Sequence, residues 1–215
     1  MKRKNVLLDL DGTLTDSCEG ILKSVKAVLR HYGAEIPSDE ELHKFIGPPL
    51  RETFPQYGVP AEEIEEAIRL YRSRYFTVGK FENHPYDGIT ELLRQLTDEG
   101  MRLYVATTKP EDLAVEILNH FGLSRYFERI FGASMDRSSE GKGKIIARLL
   151  ETVQISPEDC IMVGDTAFDV VGAKENGIPA VGVSWGYGQI GEMTDAGAVA
   201  IVESPQELLA FLTKE

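Results

Sequence analysis

The sequence predicts an α/β fold: a doubly wound (Rossmann-like) parallel sheet with a second, smaller all-helical domain. Three observations predict it. Short apolar runs recur along the chain, helix-periodic stretches alternate with them, and one long segment after the first run shows no strand pattern. The runs are Val6–Leu10, Leu103–Ala106, Ile130–Phe131, Ile161–Val163, Ala180–Val183 and Ala198–Val202. Runs this short and continuous read as parallel strands buried on both faces.

The exception follows the first strand. From about Asp16 to Pro85 the pattern is helical throughout. Ile21, Leu22, Val25, Val28, Leu29 and Tyr32 form one apolar stripe, and Ile64, Ala67, Ile68, Tyr71 and Tyr75 form another. Ser38 to Glu41 spells a capping box, while Gly33, Gly47-Pro48-Pro49 and Gly58-Val59-Pro60 punctuate the helices. Crossover connections are normally a few residues plus one helix. The segment is therefore expected to be a small cap domain over residues 16–85, with residues 1–15 and 86–215 forming the α/β core.

Beyond it, helix and strand alternate. Ile89, Leu92, Leu93 and Leu96 precede the second strand; Leu113, Ile117, Leu118 and Phe121 follow it; Ile145, Ile146, Leu149, Leu150 and Val153 precede the fourth. Ser204-Pro205 opens a last helix, with Pro at the first helical position, which Leu208, Leu209, Phe211 and Leu212 pack. Strand then helix, repeated, gives a doubly wound sheet.

A length of 215 residues fits one large domain or one domain with an insertion. The formal net charge of −12 argues against a nucleic-acid polymer, whose binding draws on cationic side chains. Two cysteines, Cys18 and Cys160, make no disulfide framework, and the expectation is a reducing, cytoplasmic setting. The basic start Met1–Lys4 resembles a signal peptide, but the apolar stretch after it breaks at Asp9. No run approaches the roughly 18 apolar residues of a spanning helix, so membrane association is not expected.

In open parallel sheets ligands bind beyond the carboxyl ends of the strands. Four such places are polar: Asp9-Leu10-Asp11-Gly12-Thr13, Thr107-Thr108-Lys109, Lys142 before a long helix, and Gly164-Asp165-Thr166-Ala167-Phe168-Asp169. Residues two apart on an extended segment point the same way, which predicts a common side for Asp9 and Asp11. Asp165 and Asp169 share a face if a helix starts between them. Four converging carboxylates need raised pKa values or a cation, and oxygen-only ligands suit Mg²⁺. Gly12 permits close approach of the backbone to an anion, Thr107 and Thr108 offer hydroxyls, and Lys142 adds a positive charge. Such a site suits phosphoryl chemistry.

These residues resemble the four signature motifs of the haloacid dehalogenase superfamily, in the family's order and over nearly the whole chain. The insertion resembles the helical cap of its class-one members, and Asp9–Ser17, Gly47–Leu50 and Gly164–Gly188 resemble its phosphoglycolate phosphatase and 5′-nucleotidase branch. The resemblance implies a phosphatase in which Asp9 is the nucleophile, forming an aspartyl-phosphate, and Asp11 the general acid and then base. It implies phosphate binding by Thr107 and Lys142. It further implies Mg²⁺ held by Asp9, the Asp11 backbone carbonyl and Asp165, with Asp169 a ligand or a support to one.

In many relatives the third-motif lysine precedes proline, whereas here it lies in Gly141-Lys142-Gly143-Lys144. The apolar spacing of Ile145, Ile146 and Leu149 selects Lys142 and turns Lys144 to solvent. In the cap, Gly47, Pro48, Leu50 and Arg51 are the candidates for substrate contact. The implied substrate is a small phosphorylated metabolite, phosphoglycolate or a nucleoside monophosphate, handled by a monomer or homodimer. A sugar phosphomutase of the β-phosphoglucomutase kind is the enzymatic alternative, against which Thr13 stands where those mutases usually carry Val or Ile. A non-catalytic phosphometabolite-binding module is the other.

Some features read as structural. Gly186-Tyr187-Gly188-Gln189-Ile190-Gly191 spells a dinucleotide motif, but it follows a late strand and lacks the acidic residue farther on. Trp185 and Tyr187 read as loop packing. Arg69, Arg72 and Arg74 read as a solvated helix face.

Overall fold

The computed structural model describes residues 3–46, 50–134 and 141–214. The chain divides into two compact units, Met1–Asp16 with Pro85–Glu215, and Ser17–His84. In chain order the elements are β1 (Asn5–Leu8), β2 (Thr15–Asp16), α1 (Cys18–His31), α2 (Asp39–Leu42), α3 (Leu50–Thr53), α4 (Ile64–Tyr75) and β3 (His84–Pro85). There follow α5 (Ile89–Asp98), β4 (Arg102–Pro110), α6 (Glu111–His120), β5 (Phe127–Ala133), α7 (Lys142–Val153) and β6 (Cys160–Gly164). The chain ends with α8 (Ala167–Glu175), β7 (Ala180–Val183), α9 (Ile190–Ala196), β8 (Ala200–Val202) and α10 (Pro205–Lys214).

The larger unit is a six-stranded sheet in the order β5-β4-β1-β6-β7-β8, parallel at every pairing. Every residue of β1, β6 and β7 is buried, as continuous apolar runs with helices on both faces require. Val6 and Leu8 pack on one face against α5, α6 and α10 through Leu93, Ile117 and Leu208. Leu7, Tyr104 and Ala106 pack on the other against α7, α8 and α9 through Ile146, Val170 and Met193. Because β1 lies between β4 and β6, connections leave it toward both edges. The crevice at its carboxyl end is the topological switch point where such sheets bind ligands.

The smaller unit is helical. Ile21, Leu22, Val25, Val28 and Leu29 are the buried stripe of α1, and Ile64, Ala67, Tyr71 and Tyr75 that of α4. Ser38 caps α2 by accepting from the Glu41 N–H at 3.3 Å. Gly20 and Gly79 let α1 approach the turn before β3, since a Cβ on Gly20 would lie 1.9 Å from the Gly79 carbonyl oxygen. Arg74 does not share the solvated face read for it: it forms a bidentate pair with Glu82, at 2.8 and 3.0 Å, half-buried. Arg69 is exposed and pairs with Glu66.

No helix is long and apolar enough to cross a membrane among the described residues.

Candidate active site

The site is assembled at the carboxyl ends of β1, β4 and β6. Asp9 follows β1 directly, tied into the sheet by its N–H on the Val163 carbonyl at 3.0 Å. Its Oδ1 accepts from the Leu10 N–H at 2.8 Å and faces Lys142 Nζ at 2.8 Å. After Leu10 the chain stops being extended: the N–H groups of Thr13, Leu14 and Thr15 all turn back onto the Leu10 carbonyl.

Lys142 is the first residue of α7 and is buried, whereas Lys144 is exposed. Its Nζ lies 2.7 Å from Asp169 Oδ1 as well and donates to the Ala106 carbonyl at 2.9 Å. A side chain at Gly172 on α8 would place its Cβ 2.8 Å from Lys142 Cβ, so the glycine gives the lysine its channel. Burial alone would push the ammonium toward its neutral form. The charges of Asp169 and Asp9, with their hydrogen bonds, outweigh that and hold it above the ordinary lysine range.

Asp169, in the first turn of α8, divides its two oxygens. Oδ2 accepts from the Thr166 N–H at 3.1 Å and the Thr166 hydroxyl at 2.9 Å, capping the helix, while Oδ1 faces Lys142. Asp165, just past β6, is fully buried. Its Oδ1 accepts from the Thr13 hydroxyl at 3.2 Å and its Oδ2 from the Tyr187 N–H at 2.8 Å.

Glycines close around Asp165. Gly12 has φ +81°, and a Cβ there would lie 2.2 Å from Asp165 Oδ2; one on Gly188 would lie 1.9 Å from the Asp165 carbonyl oxygen. The close approach that Gly12 permits is thus to Asp165, and its N–H is already donated to the Thr15 carbonyl at 2.9 Å.

Asp9, Asp165 and Asp169 each offer an oxygen within 4.8 Å of the others. Burial raises Asp9 to about 6, with Lys142 opposing and Asp169 adding to the rise. Burial, then the charges of Asp169 and Asp9, raises Asp165 to about 7. Three buried carboxylates against one ammonium, with oxygen the sole donor element of the carboxylate set, fit a hard divalent cation.

Two expectations are corrected. The fourth carboxylate does not join the cluster: Asp11 Oδ2 pairs with Lys109 Nζ at 2.6 Å. Strand alternation does not extend to Asp9 and Asp11, because the strand ends at Leu8 and the chain turns at Leu10. Thr107, Thr108 and Lys109 do not follow the second strand but lie inside it, in an irregular stretch where the pairing of β4 with β5 shifts register between Ala106 and Pro110. Thr107 is buried, its hydroxyl accepting from the Lys109 N–H at 3.2 Å, and Thr108 is exposed.

Lys109 is the residue that sequence reasoning missed. Strand alternation could have found it, since it stands two positions after Thr107 and is buried as Thr107 is. Tyr187 is more than loop packing, because its N–H holds Asp165 and its hydroxyl donates to Asp16 at 2.7 Å. Of the cap candidates, Leu50 is half-buried and Arg51 is exposed and paired with Glu65 within the helical unit. Gly47 and Pro48 lie outside the described residues.

A doubly wound parallel sheet with carboxylates at its central strand end, a buried lysine on a following helix and a helical unit inserted after the first strand defines a known class of α/β hydrolases. The chain belongs to the haloacid dehalogenase-like hydrolase family, whose profile it matches over residues 6–183. It is 42% identical over 194 residues to a 5′-nucleotidase of Pseudomonas aeruginosa, covering 90% of this chain and 88% of that protein. It is 45% identical over 184 residues to tyrosine-protein kinase PtkA of Mycobacterium tuberculosis, covering 86% of this chain but 63% of that protein. The crystal structure described as a predicted phosphatase from Clostridium acetobutylicum superposes with a TM-score of 0.93 at 42% identity, over 100% of both chains.

Proposed function

We propose that the protein is a Mg²⁺-dependent phosphatase that hydrolyses a small phosphomonoester through an aspartyl-phosphate on Asp9. The observation that carries this reading is Asp9 itself. It is a buried carboxylate at the switch point of the sheet, with Oδ1 fixed by the Leu10 N–H and Lys142, which leaves Oδ2 for attack.

In the first step Asp9 Oδ2 bonds to phosphorus as the ester P–O bond breaks, and Asp11 passes a proton to the departing oxygen, releasing the alcohol. In the second, Asp11 takes a proton from water as the water oxygen bonds to phosphorus and the bond to Asp9 breaks, giving free phosphate. Thr107 and Lys142 hold the phosphoryl oxygens. Asp9, Asp165 and Asp169, with the Asp11 backbone carbonyl, would hold Mg²⁺. Bound there, the ion supplies charge neutralisation to the transferred group.

We further propose that the helical unit acts as a cap that excludes bulk water, with Gly47, Pro48, Leu50 and Arg51 as the candidate contacts to the leaving group. A capped site favours a small metabolite over a nucleic-acid polymer, and the protein works as a monomer or homodimer in the cytoplasm. Similarity to a 5′-nucleotidase favours nucleoside monophosphates, ahead of phosphoglycolate.

The test is free-phosphate release with Mg²⁺ from nucleoside monophosphates, phosphoglycolate, sugar phosphates and pyrophosphate. Release from one monoester class, lost with a chelator, is expected. Isomerised sugar phosphate with no free phosphate would instead support the mutase, and binding with no turnover the binding module.

The cation itself has a signature in stability. With Asp9 raised to about 6 and Asp165 to about 7, the metal-free fold favours their protonated forms. The stability this gives is present at low pH and is lost as pH rises through those values. A cation needs the ionised forms, so the increase in Tm on adding Mg²⁺ is expected to grow from pH 5 to pH 8. An increase that is equal across this range counts against the cluster as the ion's site.

A further inference from the structure

We propose that Lys109 is a positioning residue for Asp11, anchoring one carboxylate oxygen so that the other alone exchanges the proton. The inference rests on the acid–base role assigned to Asp11 above.

The geometry divides the two oxygens of Asp11 sharply. Oδ2 lies 2.6 Å from Lys109 Nζ, and the lysine side chain is 5% exposed. Oδ1 is buried and has no hydrogen-bond partner among the described residues. A buried carboxylate oxygen without a donor is costly, and such atoms in native folds call for a functional account. Here the account is that the missing partner is the leaving group's oxygen, and afterwards the attacking water.

The contacts of the Lys142 ammonium are to Asp9, Asp169 and the Ala106 carbonyl, on the Asp9 side of the site, whereas Asp11 pairs with Lys109. The irregular end of β4 holds Lys109 in place, with its own N–H donated to the Thr107 hydroxyl at 3.2 Å. Each catalytic aspartate thus has a buried lysine against it, Lys142 at Asp9 and Lys109 at Asp11.

With the ammonium on Oδ2, a protonated Asp11 carries its proton on Oδ1. That proton passes to the ester oxygen as the P–O bond breaks and the electron pair leaves with that oxygen. In the second half-reaction a proton from water returns to Oδ1 as the water oxygen bonds to phosphorus and the bond to Asp9 breaks. Without the anchor the carboxyl group rotates, and the proton is often on the wrong oxygen.

The leaving group tests this. An alkyl phosphate departs as a strong base and needs the proton, whereas p-nitrophenyl phosphate departs as a weak one and needs it little. The quantity to compare is kcat/KM, which reports transfer to Asp9. Lys109→Met is expected to lower it about 30-fold more for the alkyl ester than for the aryl ester, a part of the roughly 10²–10⁴-fold that a general acid contributes. Lys109→Arg should restore most of the alkyl reaction, and Lys109→Gln carries the comparison if the Met variant is insoluble.

Equal losses on both esters would overturn the proposal, since Lys109 would then act on the phosphoryl group. So would no loss on either. Asp11→Asn, run alongside, should show the same bias more strongly. If it shows none, the acid–base reading itself fails and the role of Lys109 with it. If only the Lys109 variants lack the bias, the positioning role alone falls.

Discussion

Replacing Asp9 with Asn is expected to lower phosphate release by at least about 10³-fold while leaving the fold intact, about 4 kcal/mol of lost transition-state stabilisation. An amide oxygen can still accept from the Leu10 N–H, but it is too weak a nucleophile to form the phosphoryl ester. The fold should tolerate the change because a buried carboxylate is exchanged for a neutral group of equal shape. Burial is the largest influence pushing Asp9 toward its neutral form, so the metal-free variant should melt no lower than the parent at pH 8. Steady-state phosphate release and thermal melting check both halves, with Asp9→Ala as a control against deamidation. Turnover above about one-tenth of the parent rate would remove Asp9 from the nucleophile's role.

The sheet was legible because parallel strands buried on both faces must be continuously apolar, and each of the six runs from Val6–Leu10 to Ala198–Val202 overlaps a strand. Its limits were less so. The polar residues Thr107 to Lys109 look like a loop in sequence, yet they remain in β4 through a shifted register with β5. Local signals also selected Lys142 over Lys144, since helical periodicity alone says which of the two faces inward.

What could not be read was tertiary. Asp165 is enclosed by Gly12 and Thr13 from one end of the chain and Gly186 to Gly188 from the other, and no spacing rule links positions so far apart. The glycines of the later turn look like a dinucleotide motif because close backbone approach is needed in both settings. Here the approach is to a carboxylate. Asp11 shows the opposite failure: a periodicity rule carried past the end of the strand that justified it.

Lys142→Met carries the largest expected cost in stability. Its ammonium lies within 2.8 Å of Asp9 and 2.7 Å of Asp169, all three groups buried. Removing one member of such a cluster leaves the remaining charges without compensation, a loss of about 3–5 kcal/mol where the carboxylates are ionised. The pH dependence follows from the raised values of Asp9 and Asp165. At pH 8 both must carry charge or pay for protonation, and the loss is largest; below about 6 they take up protons in the folded protein and the loss shrinks. The Lys142 charge is itself constant over this range, because its neighbours hold it above the ordinary lysine value. Chemical denaturation of parent and variant at pH 5 and pH 8, without divalent cations, measures the difference directly. Added Mg²⁺ should recover part of the loss at pH 8 by supplying positive charge among the same carboxylates, while phosphate release stays depressed for want of the lysine on the phosphoryl group. A variant as stable as the parent at pH 8 would mean that Lys142 does not compensate these carboxylates, and the electrostatic account of the site would have to be abandoned.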